Sequence, residues 1–121
     1  MDRRAKYRQA LGRRGEDMAV AFLERVGLRV VDRNWQIPAG EIDIVARDGR
    51  TLVVAEVKTR TSVRYGHPVE AVTPTRRRRL RRLGRAWADR HRVPARPLRV
   101  DGVGVLILDG RVFVSHERGM T

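Results

Sequence analysis

The chain contains no cysteine. Disulfides, thiolate metal sites and a cysteine nucleophile are therefore excluded together, and a reducing, cytoplasmic setting is expected. Long apolar runs are missing as well: the longest, such as 103–108 with Gly104 counted, fall far short of the ~20 residues a membrane span needs. The charged N-terminus leads into no apolar segment, so no secretory signal is expected. Aromatic residues make up only 5% of the chain. Acids are scarce too, 14 against 27 basic residues, which leaves a net charge of +13. Lysine is almost absent, since Lys6 and Lys58 are the only two and the other basic residues are arginine.

What is present fits one small domain. At 121 residues, 41% apolar and 34% charged, the chain has material for a single, thin core. The surplus of positive charge is the footprint expected for a polyanion, and nucleic acid is the expected partner. An anionic membrane surface or an acidic protein would answer the same charge. No membrane-spanning role is expected.

The periodicity places a loose basic arm over residues 1–11, one domain over 12–116 and a short tail over 117–121. Ala19, Phe22, Leu23 and Val26 form one apolar helical face in a helix expected from Gly15, with Gly27 as its stop. Leu28–Val31 reads as a strand fading towards Trp35, and Pro38-Ala39-Gly40 as a turn. Glu41–Ala46 and Thr51–Lys58 form a hairpin about Asp48-Gly49, read as a type I′ turn. A polar loop over Thr61–Val72 precedes a second helix with Thr73 as N-cap and Pro74 at its first position. Leu80, Leu83 and Trp87 form its apolar stripe, and it ends near Arg92. Leu98–Leu108 and Arg111–Ser115 form a last hairpin about Asp109-Gly110. The fold class is α/β: a central mixed sheet with helices on one or both faces.

The first hairpin carries the chemistry. With a two-residue Asp48-Gly49 loop, Arg47 pairs with Arg50, Asp43 faces Val54 and Glu41 faces Glu56. Alternation then puts Glu41, Asp43, Glu56 and Lys58 on one face, with Asp43 and Glu56 as diagonal neighbours about 7–8 Å apart. Their carboxylates can converge on one divalent ion. Ile42, Ile44, Ala46, Val53, Ala55 and Val57 form the opposite, core face. Three acids and a lysine clustered together are costly unless a metal or partner compensates. Lys58 sits two residues from Glu56, and a compact ammonium can hold a water or a phosphoryl oxygen. Acids, a spacer and an acid-x-lysine are the groups that metal-assisted phosphodiester hydrolysis requires.

Gly40-Glu41-Ile42-Asp43 followed by Glu56-Val57-Lys58-Thr59-Arg60 resembles the PD-(D/E)xK nuclease core of RecB-like nucleases and archaeal Holliday-junction resolvases. Gly12-Arg13-Arg14-Gly15-Glu16, Arg33-Asn34-Trp35 and Glu70-Ala71-Val72-Thr73-Pro74 extend the likeness, in order, to the bacterial YraN-like family. The resemblance implies a restriction-endonuclease-like core of helix, three strands, helix and strand. It implies Asp43 and Glu56 as ligands of Mg²⁺ or Mn²⁺, Lys58 as catalytic lysine, and Glu16 as an added acid of the site, with Glu41 in support. A homodimer is a partner it allows. Two departures stand out: Ile42 replaces the proline of the motif, and Gly102 and Gly104 occupy a strand where bulkier residues are expected.

Residues 75–92 hold nine arginines and one acid, Asp89. Arg76, Arg77, Arg78, Arg79, Arg81 and Arg82, together with Arg60, are the expected phosphate contacts, because helix stability alone disfavours cations in a first turn. His67, His91 and His116 show no ligand spacing. Trp87 reads as core, and Trp35 fits either core or base stacking. The expected function is a metal-dependent endonuclease acting on DNA, branched or structured DNA included. The rivals are a non-catalytic nucleic-acid-binding module and an assembly factor that binds an acidic protein.

Overall fold

A computed structural model describes residues 2–62 and 73–119. Part of the expected Thr61–Val72 loop, with His67 and Glu70-Ala71-Val72, lies outside the described residues. The elements are α1 (Arg3–Arg25), β1 (Arg29–Ile37), β2 (Gly40–Asp48), β3 (Thr51–Arg60), α2 (Pro74–Arg90), β4 (Leu98–Leu108) and β5 (Arg111–Glu117). The strands form one sheet in the order β1-β2-β3-β4-β5. Every neighbouring pair is antiparallel except β3 and β4, which run parallel and are joined through α2. This is the expected α/β plan with a mixed sheet.

Helices cover both faces. Ala19 and Leu23 of α1 pack on Ile44, Ala46, Val53, Ala55, Val103 and Val105. Leu80, Leu83 and Trp87 of α2 pack on Ile42, Val45, Leu52, Val54 and Val100. Two close approaches set the spacing. Gly15 of α1 lies so near Thr59 that any Cβ there would collide with its side chain, and a Cβ on Gly84 of α2 would come within 2.8 Å of Leu98.

Local signals act as read at several points. Thr73 caps α2, its Oγ1 accepting the Arg76 N–H at 3.2 Å. Gly27 (φ +102°) ends α1, and the Leu28 N–H closes back on the Leu23 carbonyl at 2.9 Å. The hairpin about Asp109-Gly110 forms as read, and both residues take positive φ between Leu108 and Arg111, the pattern of a I′ turn.

Two expectations need correction. The basic arm is instead helical: α1 begins at Arg3, capped by Asp2, whose carboxylate accepts the Ala5 N–H at 2.7 Å. The β2–β3 loop is Gly49-Arg50 rather than Asp48-Gly49, because Asp48 pairs with Thr51. Gly49 (φ +59°) thus stands first in the turn, as a II′ turn prefers. The cause is non-local: the Asp48 carboxylate accepts from Arg99 at 2.8 Å and from Arg118 at 2.6 Å, which holds it in the strand. The face opposite the expected core, apolar at Val45, Leu52 and Val54, is buried as well, under α2.

Candidate active site

The corrected register shifts β3 by two residues against β2. Two is the strand period, so each side chain keeps its parity while its neighbour changes. The ladder ends at Ile44 and Ala55. One step beyond, Asp43 comes opposite Glu56 rather than Val54, and its side chain, not its backbone, makes the link: Oδ2 accepts the Val57 N–H at 2.8 Å.

Alternation slips here. Ile42 and Val45 both join the core under α2, whereas Ile44 joins the core under α1. Next to this slip in β1, Asn34 adopts a left-handed φ of +53°. Arg33 and Asn34 then both turn to Glu16 of α1, with Nε to Oε1 at 3.0 Å and Nδ2 to Oε1 at 2.8 Å. The single face expected for Glu41, Asp43, Glu56 and Lys58 therefore does not form. Asp43 opens into a cavity on the α1 side, Glu56 reaches towards α2, and Glu41 is exposed.

The cavity, about 560 Å³, is lined among the described residues by Arg8, Leu11, Gly12, Glu16, Asp43 and residues 57–62, Lys58 and Arg60 included. Burial pushes the Asp43 carboxyl up to about 6; the Val57 N–H opposes this, while the negative charges of Glu56, Glu16 and Glu41 add to it. Glu56 is only 2% exposed. Its Oε1 is paired with the guanidinium of Arg76 and lies 3.8 Å from Lys58 Nζ. Its Oε2 is buried and has no hydrogen-bond partner among the described residues. Glu16 is nearly covered and is held by Arg33, whose guanidinium is itself held protonated above its usual range by Asp17 and Glu16.

The α2 arginines do not form one surface. Arg76 turns inward to Glu56, and Arg81 donates to the Leu98 carbonyl at 3.4 Å. Arg78, Arg79 and Arg82 are exposed, and Arg77 is half-buried. Trp87 is core, its Nε1–H donating to Asp32 at 2.7 Å. Trp35 packs at the edge of the same core, with the Arg90 guanidinium 5.7 Å from its ring.

One charged centre escaped sequence reasoning. Asp101 is fully buried and accepts from Arg99, His116 and the Gly119 N–H at 2.8–3.0 Å. Burial alone would raise its carboxyl; the bonds from His116, Arg99 and Gly119 outweigh it and hold the group below the usual carboxylate range. The available signal was Arg99 and Asp101 at i, i+2 on an otherwise apolar strand. His116 has no ligand spacing because its partner lies across the sheet.

Asp43 and Glu56 are suited to a cation. A buried Glu56 oxygen lacks a partner among the described residues, and the neighbouring carboxylates add to the cost of ionising Asp43. Among the described residues no three His, Asp or Glu side chains gather as a complete metal cage. Mg²⁺ does not need one, since it is commonly held by one or two carboxylates and completed by water and phosphate oxygens.

Comparison with known proteins agrees with this layout in extent. The profile of an uncharacterised protein family, UPF0102, matches residues 15–105, from Gly15 at the α1–β3 contact to Val105 in β4. A UPF0102 protein of Paenarthrobacter aurescens is 56% identical over 118 residues, covering 95% of this chain and 96% of its own. One from Renibacterium salmoninarum is 53% identical over 111 residues, covering 91% and 94%. One from Streptomyces griseus is 51% identical over 116 residues, covering 94% and 98%. With a family profile matched over most of its length and relatives above 50% identity, the chain belongs to the UPF0102, or YraN-like, family.

Proposed function

We propose that the protein is a divalent-metal-dependent endonuclease of the PD-(D/E)xK, restriction-endonuclease-like type that hydrolyses phosphodiester bonds in DNA, branched or structured DNA included. The observation that carries the reading is the buried Glu56 oxygen, unpartnered among the described residues, beside Asp43, whose carboxyl is raised to about 6, at a cavity that Lys58 also lines.

Hydrolysis adds water across one P–O bond. The water oxygen joins phosphorus, the bridging oxygen leaves with a proton, and a phosphomonoester remains. Asp43 and Glu56 would hold Mg²⁺ or Mn²⁺, which supplies charge neutralisation at the phosphate and a more acidic water. Lys58 Nζ, 3.8 Å from Glu56 Oε1, holds the attacking water or a phosphoryl oxygen by hydrogen bond. Arg76 must leave Glu56 to free both oxygens, and an incoming phosphate is the natural new partner for its guanidinium. Glu16 bears on Asp43 electrostatically and is oriented by Arg33 and Asn34. Exposed Arg78, Arg79 and Arg82 position the backbone without reading sequence.

The Arg76–Glu56 pair also favours a second reading, a non-catalytic nucleic-acid-binding module in which that pair is structural. One assay separates the two. Labelled linear, single-stranded, flapped and four-way-junction DNA are incubated with Mg²⁺, Mn²⁺ or EDTA and with wild type, Glu56→Ala or Lys58→Ala. Metal-dependent cutting lost in both variants supports the nuclease. Folded wild type that binds DNA but never cuts any substrate supports the module.

A further inference from the structure

The first three turns of α1 have no place in the core. Gly15 lies against Thr59 near the end of β3, and Arg8, Leu11 and Gly12 line the cavity with residues 57–62. The helix therefore continues past the point where the sheet ends. Residues 2–14 hold six cations, Arg3, Arg4, Lys6, Arg8, Arg13 and Arg14, and one acid, Asp2, which is engaged as the N-cap. Arg3, Arg4 and Lys6 lie in the first turn, where the helix dipole opposes cations, so the dipole does not account for them. Among the described residues, the Arg4 and Arg8 side chains make no ion pair or hydrogen bond. Arg4, Arg8, Gly12 and Glu16 recur every four residues, so Arg4 stands one turn, about 6 Å, beyond the cavity on the stripe that lines it. Beside them Tyr7 is 63% exposed, an aromatic ring with no ring contact among the described residues, in a chain that has only six aromatics.

The second basic helix reaches the same place from the other face of the sheet. Arg76 in the first turn of α2 contacts Glu56, while α1 covers the opposite face through Ala19 and Leu23. Two cationic helix starts thus flank the end of β3 that carries Glu56, Lys58 and Arg60.

We propose that the first three turns of α1 form a second wall of the nucleic-acid site, opposed to α2, in which Arg4 and Arg8 hold phosphates and Tyr7 stacks on an unpaired base. This rests on the nucleic-acid reading above and names its substrate class: a strand with at least one base out of the duplex. A base inside a duplex offers no free face, so the ring gains nothing from paired DNA. The arginines contribute to either form, because both carry the phosphates.

The test uses fluorescently labelled single-stranded and blunt duplex DNA, titrated in EDTA at several salt concentrations so that no cleavage intervenes. Arg4→Ala/Arg8→Ala is expected to reduce the slope of log affinity against log salt on duplex by about 1.8, with Arg4→Lys/Arg8→Lys keeping it. Tyr7→Ala is expected to weaken single-strand binding about tenfold and leave blunt duplex unchanged. All of these positions are exposed, so circular dichroism should match wild type. An unchanged slope in the α1 variants, while Arg79→Ala/Arg82→Ala lowers it, overturns the second wall and leaves the nucleic-acid reading standing. Equal losses on both DNAs for Tyr7→Ala overturn the stacking role. Wild type that shows no salt-dependent binding overturns both the wall and the reading beneath it.

Discussion

Replacing Asp43 with asparagine removes a buried negative charge and keeps a carbonyl oxygen that can still accept the Val57 N–H. The carboxyl rises from its ordinary 3.8 to about 6, chiefly through burial and then through Glu56, Glu16 and Glu41. A group raised in the folded state favours folding fully below its unfolded pKa, and that contribution is lost as pH rises through the folded value. Above pH 6 the ionised Asp43 therefore costs the metal-free protein about 3 kcal/mol relative to a neutral side chain. Asp43→Asn should melt on the order of 10 °C above wild type at pH 8 in EDTA. The advantage should shrink between pH 6 and 4 and vanish below. Added Mg²⁺ or Mn²⁺ should narrow the gap at pH 8, because a cation that binds only wild type stabilises only wild type. Thermal melts at pH 4, 6 and 8 with and without metal read all of this. A variant no more stable than wild type at pH 8, or equally altered at every pH, would refute the picture of a carboxylate raised by burial and by its neighbours.

Other outcomes follow from particular contacts. Arg76→Ala removes the cation paired with Glu56 and should raise affinity for Mn²⁺ about tenfold or more, measured by calorimetry; unchanged affinity would mean that the pair does not compete with metal. Gly15→Ala should cost about 1–3 kcal/mol by forcing α1 away from Thr59, and Thr59→Ala in the same chain should recover part of it in a urea melt. Asp101→Asn should cost about 1–3 kcal/mol, since Arg99 keeps Asp48 but loses the fully buried one of its two carboxylates. Because the Asp101 carboxyl is lowered, its contribution is present above the ordinary carboxylate pKa and fades as pH falls through the folded one; a penalty that grew under acid would contradict that assignment.

The element order, the α2 cap, the glycine stop of α1 and the Asp109-Gly110 turn were legible because each depends on a few adjacent residues. Parity along β2 and β3 was legible too, and it survived a wrong turn because the error was a whole strand period. The turn itself was not. Asp48-Gly49 and Gly49-Arg50 are both acceptable locally, and only Arg99 and Arg118, distant in sequence, hold Asp48 in the strand. The start of α1 was hidden because it overhangs the sheet and needs no apolar stripe; its arginines, alanine, lysine and glutamine have good helix propensity that periodicity does not register. The slip of alternation at Asp43, beside the left-handed Asn34 of a neighbouring strand, was likewise not legible. By itself, then, the sequence determined the groups available, two carboxylates, a lysine and an excess of arginine near one hairpin. Tertiary structure decided which of them meet, because register, helix overhang and the Arg76–Glu56 pair are set by contacts between residues far apart in the chain.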